Sequence, residues 1–306
     1  MNSTQKVMML VRREVWENRS LWIAPLVISG IILFAAAFGG IHVGDGNHMW
    51  FGSSDTPESV NHLDPGQEKR AAIYGIAMAS FTFIQLIVLG FVVFFYLLDS
   101  LLSERKDRSI LFWKSLPISD TQVVASKVLT GLVAAPLYVL AVSAVTQLLF
   151  GIVWFLRMGS HFPANLLVPF DGGTWLQVQA GFLAMVPAVL LWYLPIAGYL
   201  LLVSVWARKN AFLWAILPWV ALELIEALLI QSHHVAEFLG RRFGGAYMVM
   251  GLDHFRSETT ETGPQLGEFV SHVARVFTSG EAWLGVIAAT VLFIAVVRIR
   301  RYRDDS

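Results

Sequence analysis

The chain has 306 residues, of which 56% are hydrophobic and only 14% are charged. Because soluble domains carry roughly 25% charged residues, this composition excludes an ordinary soluble globular protein. The 22 basic residues balance the 22 acidic residues, and this argues against a nucleic-acid-binding protein. The sequence contains no cysteine, which excludes disulfides, thiol catalysis and metal sites built from cysteine ligands.

Long uncharged runs predict membrane-spanning helices, because about 18 or more consecutive apolar residues cross a bilayer as a helix. The runs lack the alternating pattern of barrel strands. The sequence therefore predicts an all-α polytopic membrane protein, with residues 1–306 forming a single transmembrane domain. The six predicted spans are Leu21–Ile41, Ala71–Leu98, Val128–Leu156, Trp175–Ala207, Ala211–Ile230 and Ala282–Val297.

Lysine and arginine are distributed unevenly between the two sides of the predicted membrane domain. The N-terminal segment, the second and fourth connections and the C-terminal tail hold 15 of them, and the opposite side holds seven. Since cytoplasmic segments carry the excess of basic residues, we expect both termini in the cytoplasm and a multi-pass protein of the cell (inner) membrane. The alternative is that the first apolar run, Leu21–Phe34, belongs to a signal peptide.

Residues 4–20 precede the first predicted span and have a helical pattern of their own. Val7, Met8, Val11 and Val15 fall within about 100° of a helical wheel. This pattern predicts an N-terminal helix in the cytoplasmic interface, with Glu14 as an imperfection beside the apolar arc. A solvated leader segment is the alternative.

The predicted cytoplasmic loop from Asp99 to Lys127 combines charge with bulky apolar side chains. Its apolar part ends at Pro117, because proline cannot continue the helical hydrogen-bond ladder, and Ser119 with Gln122 forms a capping-box pair that starts the next helix. Such a combination is suited to docking onto another protein. The alternative is a helix that lies on lipid. The candidate contact residues are Glu104, Arg105, Lys106, Asp107, Arg108, Phe112, Trp113, Leu116 and Pro117.

Three segments are predicted on the outer side. Residues Ile41–Arg70 are rich in glycine, aspartate, serine, asparagine and proline and predict a loop. The glycine-rich segment Ala236–Leu252 could enter the membrane edge as a re-entrant element if its backbone is covered. Apolar residues between Leu266 and Phe277 share one arc of about 120° and predict an amphipathic helix.

Glu223 and Glu226 lie within the fifth predicted span. They are three residues apart and therefore share one helical face. Because a carboxylate in lipid is costly, we expect both to face the bundle interior, a dimer seam or a wet cavity. Three interpretations remain open: structural hydrogen bonding, lining of a translocation path, and a proton-carrying or catalytic pair.

All eight histidines fall on the predicted outer side. Two sets of residues could be considered as metal ligands, but neither has a standard spacing: His42, Asp45 and His48, and His233, His234 and Glu237. We therefore expect no metal site and no catalytic residue. Pro187 and Pro195 lie inside the fourth span, where with Gly181 and Gly198 they predict either a bend used in gating or static kinks. No P-loop motif is present, so we expect no ATP hydrolysis by this chain alone.

These features together resemble the membrane permease subunits of ABC-2 type (type V-like) ATP-binding-cassette exporters, over nearly the whole chain. The sharpest match runs from Glu104-Arg105-Lys106-Asp107 through Leu116-Pro117-Ile118-Ser119 to Lys127. It is similar to the "E-R … L-P-V-S … K" loop of that family, which forms the coupling helix. The segment Ile41–Arg70 is longer than expected for a minimal member and leaves an added binding role open.

The resemblance implies a permease that transports its substrate by alternating access. A separate ABC ATPase subunit would dock on the 99–127 loop and carry the ATP and magnesium, with no cofactor on this chain. A second permease copy would complete the assembly, as a homodimer or a heterodimer, within membrane lipid. The resemblance does not identify the substrate.

Two other classes of function remain as alternatives. The first is an intramembrane, metal-dependent protease-like enzyme with Glu223, Glu226 and His233 or His234 at its centre. Against it, the helical pattern does not place the histidines at the depth of the glutamates. The second is an ion-coupled carrier that uses the same two glutamates, although the sequence has no repeated halves or paired broken helices.

Overall fold

The computed structural model of the chain describes residues 3–39, 41–44, 48–51, 67–107, 118–158, 172–250 and 266–302. These residues form α-helices, one π-helical turn and one short β hairpin. In chain order the helices are α1 (Ser3–Glu17), α2 (Ser20–Phe38), α3 (Gln67–Lys106), α4 (Asp120–Leu129), α5 (Ala135–Met158), α6 (Gly172–Trp206), α7 (Ala211–Leu229), α8 (His234–Met250), α9 (Leu266–Thr278) and α10 (Gly280–Tyr302).

Six helical stretches in the described residues are long and apolar enough to cross a membrane, which confirms the six predicted spans. They indicate a multi-pass membrane protein. Their ends differ from the prediction: the third and sixth stretches continue past the apolar runs into polar residues, whereas the first ends earlier, at Phe38. The stretches are Ser20–Phe38, Gly75–Lys106, Asp120–Arg157, Gly172–Trp206, Ala211–Leu229 and Gly280–Tyr302.

The segment Ile41–Arg70 was predicted to be a loop, and this was wrong for two parts of it. β1 (Ile41–Gly44) pairs antiparallel with β2 (His48–Phe51), and α3 already begins at Gln67. The residue types favour a hairpin, because β1 contains the β-branched Ile41 and Val43, β2 contains the aromatic Trp50 and Phe51, and the connecting sequence Asp45-Gly46-Asn47 is typical of turns.

α6 is the central helix of the bundle. In the most apolar 18-residue stretch of α6, 50% of the residues are buried inside the protein, against 11% in the corresponding stretch of α7. Leu200, Leu201 and Val205 of α6 are almost fully buried. The main core cluster contains these residues together with side chains of α3, the third span and α10. Any element attached to α6 is therefore attached to the centre of the molecule.

The third span is one continuous helical rod, α4 followed by a π-helical turn (Thr130–Ala134) and then α5. The π turn precedes Pro136, whose missing N–H removes one helical hydrogen bond. At Gly131 a β-carbon would come within 3.2 Å of the Val93 side chain, so glycine permits close packing of the rod against α3.

The N-terminal helix is present as α1, but its buried face differs from the predicted apolar arc. Leu10 and Glu14 are the buried residues of α1, whereas Met8 is 71% exposed. The buried face is therefore rotated toward Glu14, because this carboxylate has charged and polar partners inside the protein.

A helix is also present where the outer amphipathic helix was predicted, as α9. Its Val273 and Val276 pack against Ala188 and Trp192 of α6. Preceding it, α8 (His234–Met250) covers most of Ala236–Leu252, the segment predicted to be re-entrant. α8 is tied to α6 by reciprocal bonds, in which Trp192 Nε1 donates to the Arg242 carbonyl and Arg242 donates to the Trp192 carbonyl at 2.7 Å.

Pro187 and Pro195 lie inside α6, and both neighbouring glycines are packing positions. At Gly181 a β-carbon would come within 3.2 Å of the Phe269 ring, and at Gly198 within 3.1 Å of Leu292. These glycines therefore let α9 and α10 approach α6 closely. A bend of α6 during gating stays a prediction.

Candidate functional site

The most strongly charged interior site of the described residues lies where α1, α3, α4 and α10 meet. It consists of Glu14, Glu104, Asp120, Lys127 and Arg300, which we call the buried ion cluster. Four of these residues are buried, and Asp120 is partly exposed. Buried charges require paired partners because an isolated charge in the interior is very costly. The cluster therefore fixes four helices at one end of the bundle.

Lys127 is the central cation of the buried ion cluster. Its ammonium nitrogen lies 3.0 Å from Glu14 Oε1 and 2.9 Å from Glu104 Oε1, and the residue is only 2% exposed. The second oxygen of Glu14 accepts a hydrogen bond from the Tyr96 hydroxyl at 2.9 Å. Lys127 thus joins α1 to the C-terminal end of α3, which is the end predicted to face the cytoplasm.

Arg300 is the second cation of the cluster and comes from the last helix. One of its nitrogens lies 2.9 Å from Glu104 Oε2 and the other lies 2.5 Å from Asp120 Oδ1. Glu104 therefore pairs with two cations, one on each carboxylate oxygen. The ends of the 99–127 loop are held to each other and to α10.

The sequence predicts that Glu104 and Arg105 belong to a surface that contacts a partner protein. In the structure their side chains face inward instead. Glu104 is buried in the ion cluster. Arg105 donates hydrogen bonds to the carbonyl oxygens of Ser204 and Ala207 at the end of α6. The physical reason is that both have oppositely charged or polar groups on neighbouring helices, which a linear reading of the loop does not show.

Lys106 and Asp107 are the two predicted contact residues that the structure leaves exposed. Arg108, Phe112, Trp113, Leu116 and Pro117 lie outside the described residues, so their predicted role stays a prediction. The predicted capping box is confirmed: Gln122 N–H donates to the Ser119 hydroxyl, and the Gln122 side chain accepts from the Ser119 N–H.

Deeper in the bundle, a second set of buried polar residues connects α2, α3, α5 and α6. We call it the polar network, and its members are Ser29, Thr82, Gln85, Ser143, Thr146, Gln147 and Gln179. Sequence reasoning missed it, because single serines, threonines and glutamines do not interrupt an apolar run. The signal in the sequence is the position of these polar residues on the helical faces of the spans.

The polar network centres on Gln147 of α5. Its amide nitrogen donates to the Met78 carbonyl and to the Thr82 hydroxyl, both at 2.9 Å, while its oxygen accepts from Gln179. Thr82 then donates to Ser143 at 3.3 Å. None of its members titrates near neutral pH, so the network holds helices together and carries no ionisable group.

Glu223 and Glu226 lie near the C-terminal end of α7 and bind the start of the next helix. Glu226 accepts from the backbone N–H groups of His234 and Val235 at 2.8 and 2.9 Å, and Glu223 accepts from the Ala236 N–H at 2.9 Å. Both carboxylates therefore satisfy N–H groups that a helix start leaves unpaired, and they complement its dipole. Their predicted place on a translocation path stays untested.

The expectation that the histidines lie away from these glutamates was wrong. His233 Nδ1 lies 2.7 Å from Glu223, and His234 Nδ1 lies 2.7 Å from Glu226, because the short connection after α7 folds back over its last turn. The Glu223 carboxylate raises the pKa of His233 above its ordinary value by hydrogen bonding and charge attraction. Among the described residues, no group of three or more His, Asp, Glu or Cys could hold a metal ion.

Comparison with known proteins adds no further assignment to these sites. The chain matches no protein-family model, no curated protein and no solved structure.

Proposed function

We propose that this chain is the membrane permease subunit of an ABC-2 type exporter. It moves a substrate across the cytoplasmic membrane by alternating access, and a separate ATPase subunit that docks on the 99–127 loop drives the change. The observation that carries the proposal is the buried ion cluster, which joins both ends of that loop to the first and last helices.

A loop that transmits force to a membrane domain needs ends that move with the spans. Glu104 stands at the start of the loop, and Asp120 and Lys127 stand in the helix that follows it. Breaking one partner of a buried ion pair costs about 3–5 kcal/mol. A push on the loop therefore displaces α1, α3, α4 and α10 together and does not bend the loop alone.

The exposed part of the loop is the docking surface in this proposal. Lys106 and Asp107 supply charge at its rim, and the apolar residues Phe112, Trp113 and Leu116 supply the anchors. Large aromatic and apolar anchors inside a charged rim are the typical composition of a strong protein interface. Glu104 and Arg105 are positioning residues in this arrangement, since they hold the loop from inside.

The remaining parts of the proposal follow the same division of labour. Both termini and the loop lie in the cytoplasm, and α1 lies in the membrane interface. ATP and magnesium bind to the ATPase, and two permease copies with two ATPases form the transporter. Conformational change then follows from binding energy that differs between two states of the assembly.

The test uses the full chain co-expressed with candidate P-loop ATPases of the ABC type from the same genome. We expect the two subunits to co-purify and to hydrolyse ATP after reconstitution in liposomes. Leu116→Asp places a charge among the apolar anchors and should abolish co-purification. Lys127→Met substitutes no residue of the docking surface, so in correctly inserted protein it should preserve co-purification but lower the ATP turnover of the complex, because the loop is held less firmly to α1 and α3.

Two controls make the result interpretable. Arg275→Glu on α9, at the far side of the proposed transporter, should change neither co-purification nor turnover. Membrane insertion of each variant is measured by resistance to carbonate extraction. The proposal is wrong if the unmodified chain forms no complex with the ATPase, or if Leu116→Asp leaves the complex intact in correctly inserted protein.

The intramembrane enzyme remains the second candidate because His233 and His234 contact Glu223 and Glu226 directly. Against it, the carboxylate oxygens are occupied by the start of α8. Zinc bound to purified protein, together with hydrolytic activity that is lost in Glu223→Gln without any ATPase, would favour the enzyme over the exporter.

A further inference from the structure

The face of α1 that points away from the protein has a mixed basic and apolar composition. With 100° per residue, Met8, Met9, Arg12 and Trp16 fall within about 100° of the helical wheel. All four are exposed, and Met8 and Trp16 are each 71% exposed. This face lies opposite Leu10 and Glu14, the residues that α1 buries against the protein.

The charges on α1 and its junction with α2 leave cations on the exposed face. Both glutamates of α1 are already paired, Glu14 with Lys127 and Glu17 with Arg13. Arg12 and the following Arg19 are exposed, and neither has a carboxylate at ion-pair distance in the part of the chain that the structure describes. Among the described residues, the outward surface therefore carries positive charge that no carboxylate pairs.

The position of α1 determines which surface can meet this face. Only two residues separate the end of α1 at Glu17 from the start of the first membrane span at Ser20. The helix therefore lies at the level where a span leaves the bilayer. At this level a membrane presents phosphate and other headgroup charges above an apolar boundary, and arginine, methionine and tryptophan match both.

We infer that the exposed face of α1 (Met8, Met9, Arg12, Trp16, with Arg19) binds anionic lipid headgroups of the surrounding bilayer. Arg12 and Arg19 attract the headgroup phosphates, while Met9 and Trp16 enter the apolar boundary beneath them. The same helix holds Lys127 through Glu14 on its other side. The same helix therefore faces lipid on one side and contacts the buried ion cluster on the other.

Lipid binding by α1 does not depend on export, and its test needs no ATPase. The chain has no cysteine, so Met9→Cys provides one attachment point for an environment-sensitive fluorophore on the full-length protein. The labelled protein is placed in nanodiscs of phosphatidylcholine alone or of phosphatidylcholine with phosphatidylglycerol. Brominated acyl chains in either mixture report contact between the label and the lipid by quenching.

We expect stronger quenching in the anionic nanodiscs, and a loss of that difference at high salt, which screens exposed charges. Arg12→Gln and Arg19→Gln should each weaken the anionic-lipid-dependent binding about five-fold, the contribution of one basic residue near a charged membrane. Arg275→Gln removes an arginine from α9 and serves as the matched control, which should leave the quenching unchanged.

Three results would overturn the inference. Equal quenching in neutral and anionic nanodiscs would show that headgroup charge has no role. Unchanged quenching in Arg12→Gln and Arg19→Gln would show that these cations do not bind lipid. A label that stays in water in both lipids and becomes shielded only when an ATPase subunit is added would identify the face as a protein interface.

Discussion

Lys127 is the cation that joins the two buried glutamates of the buried ion cluster. It neutralises Glu14 and Glu104, which come from different helices and are both buried. The sequence shows Lys127 only as the last residue of a charged loop, and it shows Glu14 only as a flaw in an apolar arc. Their pairing over 113 positions of the chain is visible only in three dimensions.

At the residue scale we predict that Lys127→Met lowers the free energy of unfolding by about 3–5 kcal/mol, because two buried carboxylates lose their shared cation. Thermal unfolding of the detergent-solubilised protein measures this. Combining Lys127→Met with Glu14→Gln should cost less than the sum of the two single changes, since residues in one ion network are not additive.

The matched control for this residue is Lys209→Met. Lys209 is exposed in the turn between α6 and α7, so its removal should change the free energy of unfolding by no more than about 0.5 kcal/mol. Equal effects of Lys127→Met and Lys209→Met would contradict the structural role of the buried ion cluster.

At the element scale, the spans are held together by polar contacts as well as by apolar packing. Lipid tails are as apolar as leucine, so burial of apolar side chains gives helices little preference for one neighbour over another. The polar network supplies that preference, because each hydroxyl and amide bonds to a particular helix. The Gln147 side chain forms hydrogen bonds that connect α5 to both α3 and α6.

We predict that Gln147→Leu destabilises the bundle by about 1–2 kcal/mol, since it removes hydrogen bonds between three helices that are each worth up to about 1.7 kcal/mol in a membrane protein. Gln177→Leu is the control, because Gln177 is exposed on α6. Thermal unfolding compares the two. A loss as large in Gln177→Leu would show that hydrophobicity, and not hydrogen bonding, causes the effect.

At the scale of the whole molecule, the six spans found in the described residues predict that both termini lie on one side of the membrane. The exposed turn containing Lys209 and the helix α9 containing Gly267 then lie on opposite sides. The distribution of lysine and arginine predicts that the Lys209 side faces the cytoplasm. This orientation is also a condition of the proposed function, because an ATPase can reach only the cytoplasmic face.

We predict that Lys209→Cys reacts with a membrane-impermeant maleimide only after the cells are permeabilised, whereas Gly267→Cys reacts in intact spheroplasts. No native cysteine competes for the reagent, and a side chain at Gly267 meets no other atom within 4 Å. The unsubstituted chain should not be labelled at all. Labelling in the reverse order would place the 99–127 loop outside the cell and exclude ATPase docking there.

The six spans and the capping box at Ser119 could be predicted from the sequence, because run length and short-range spacing are local properties of a helix. The sequence also identified Glu223 and Glu226 as unusual, without showing that they bind the start of α8. Only the tertiary structure decided which side chains meet: Tyr96 reaches Glu14 across 82 positions and Arg300 reaches Glu104 across 196. The physical reason is that helix formation depends on neighbours along the chain, whereas the pairing of buried charges and amides depends on how completed helices pack.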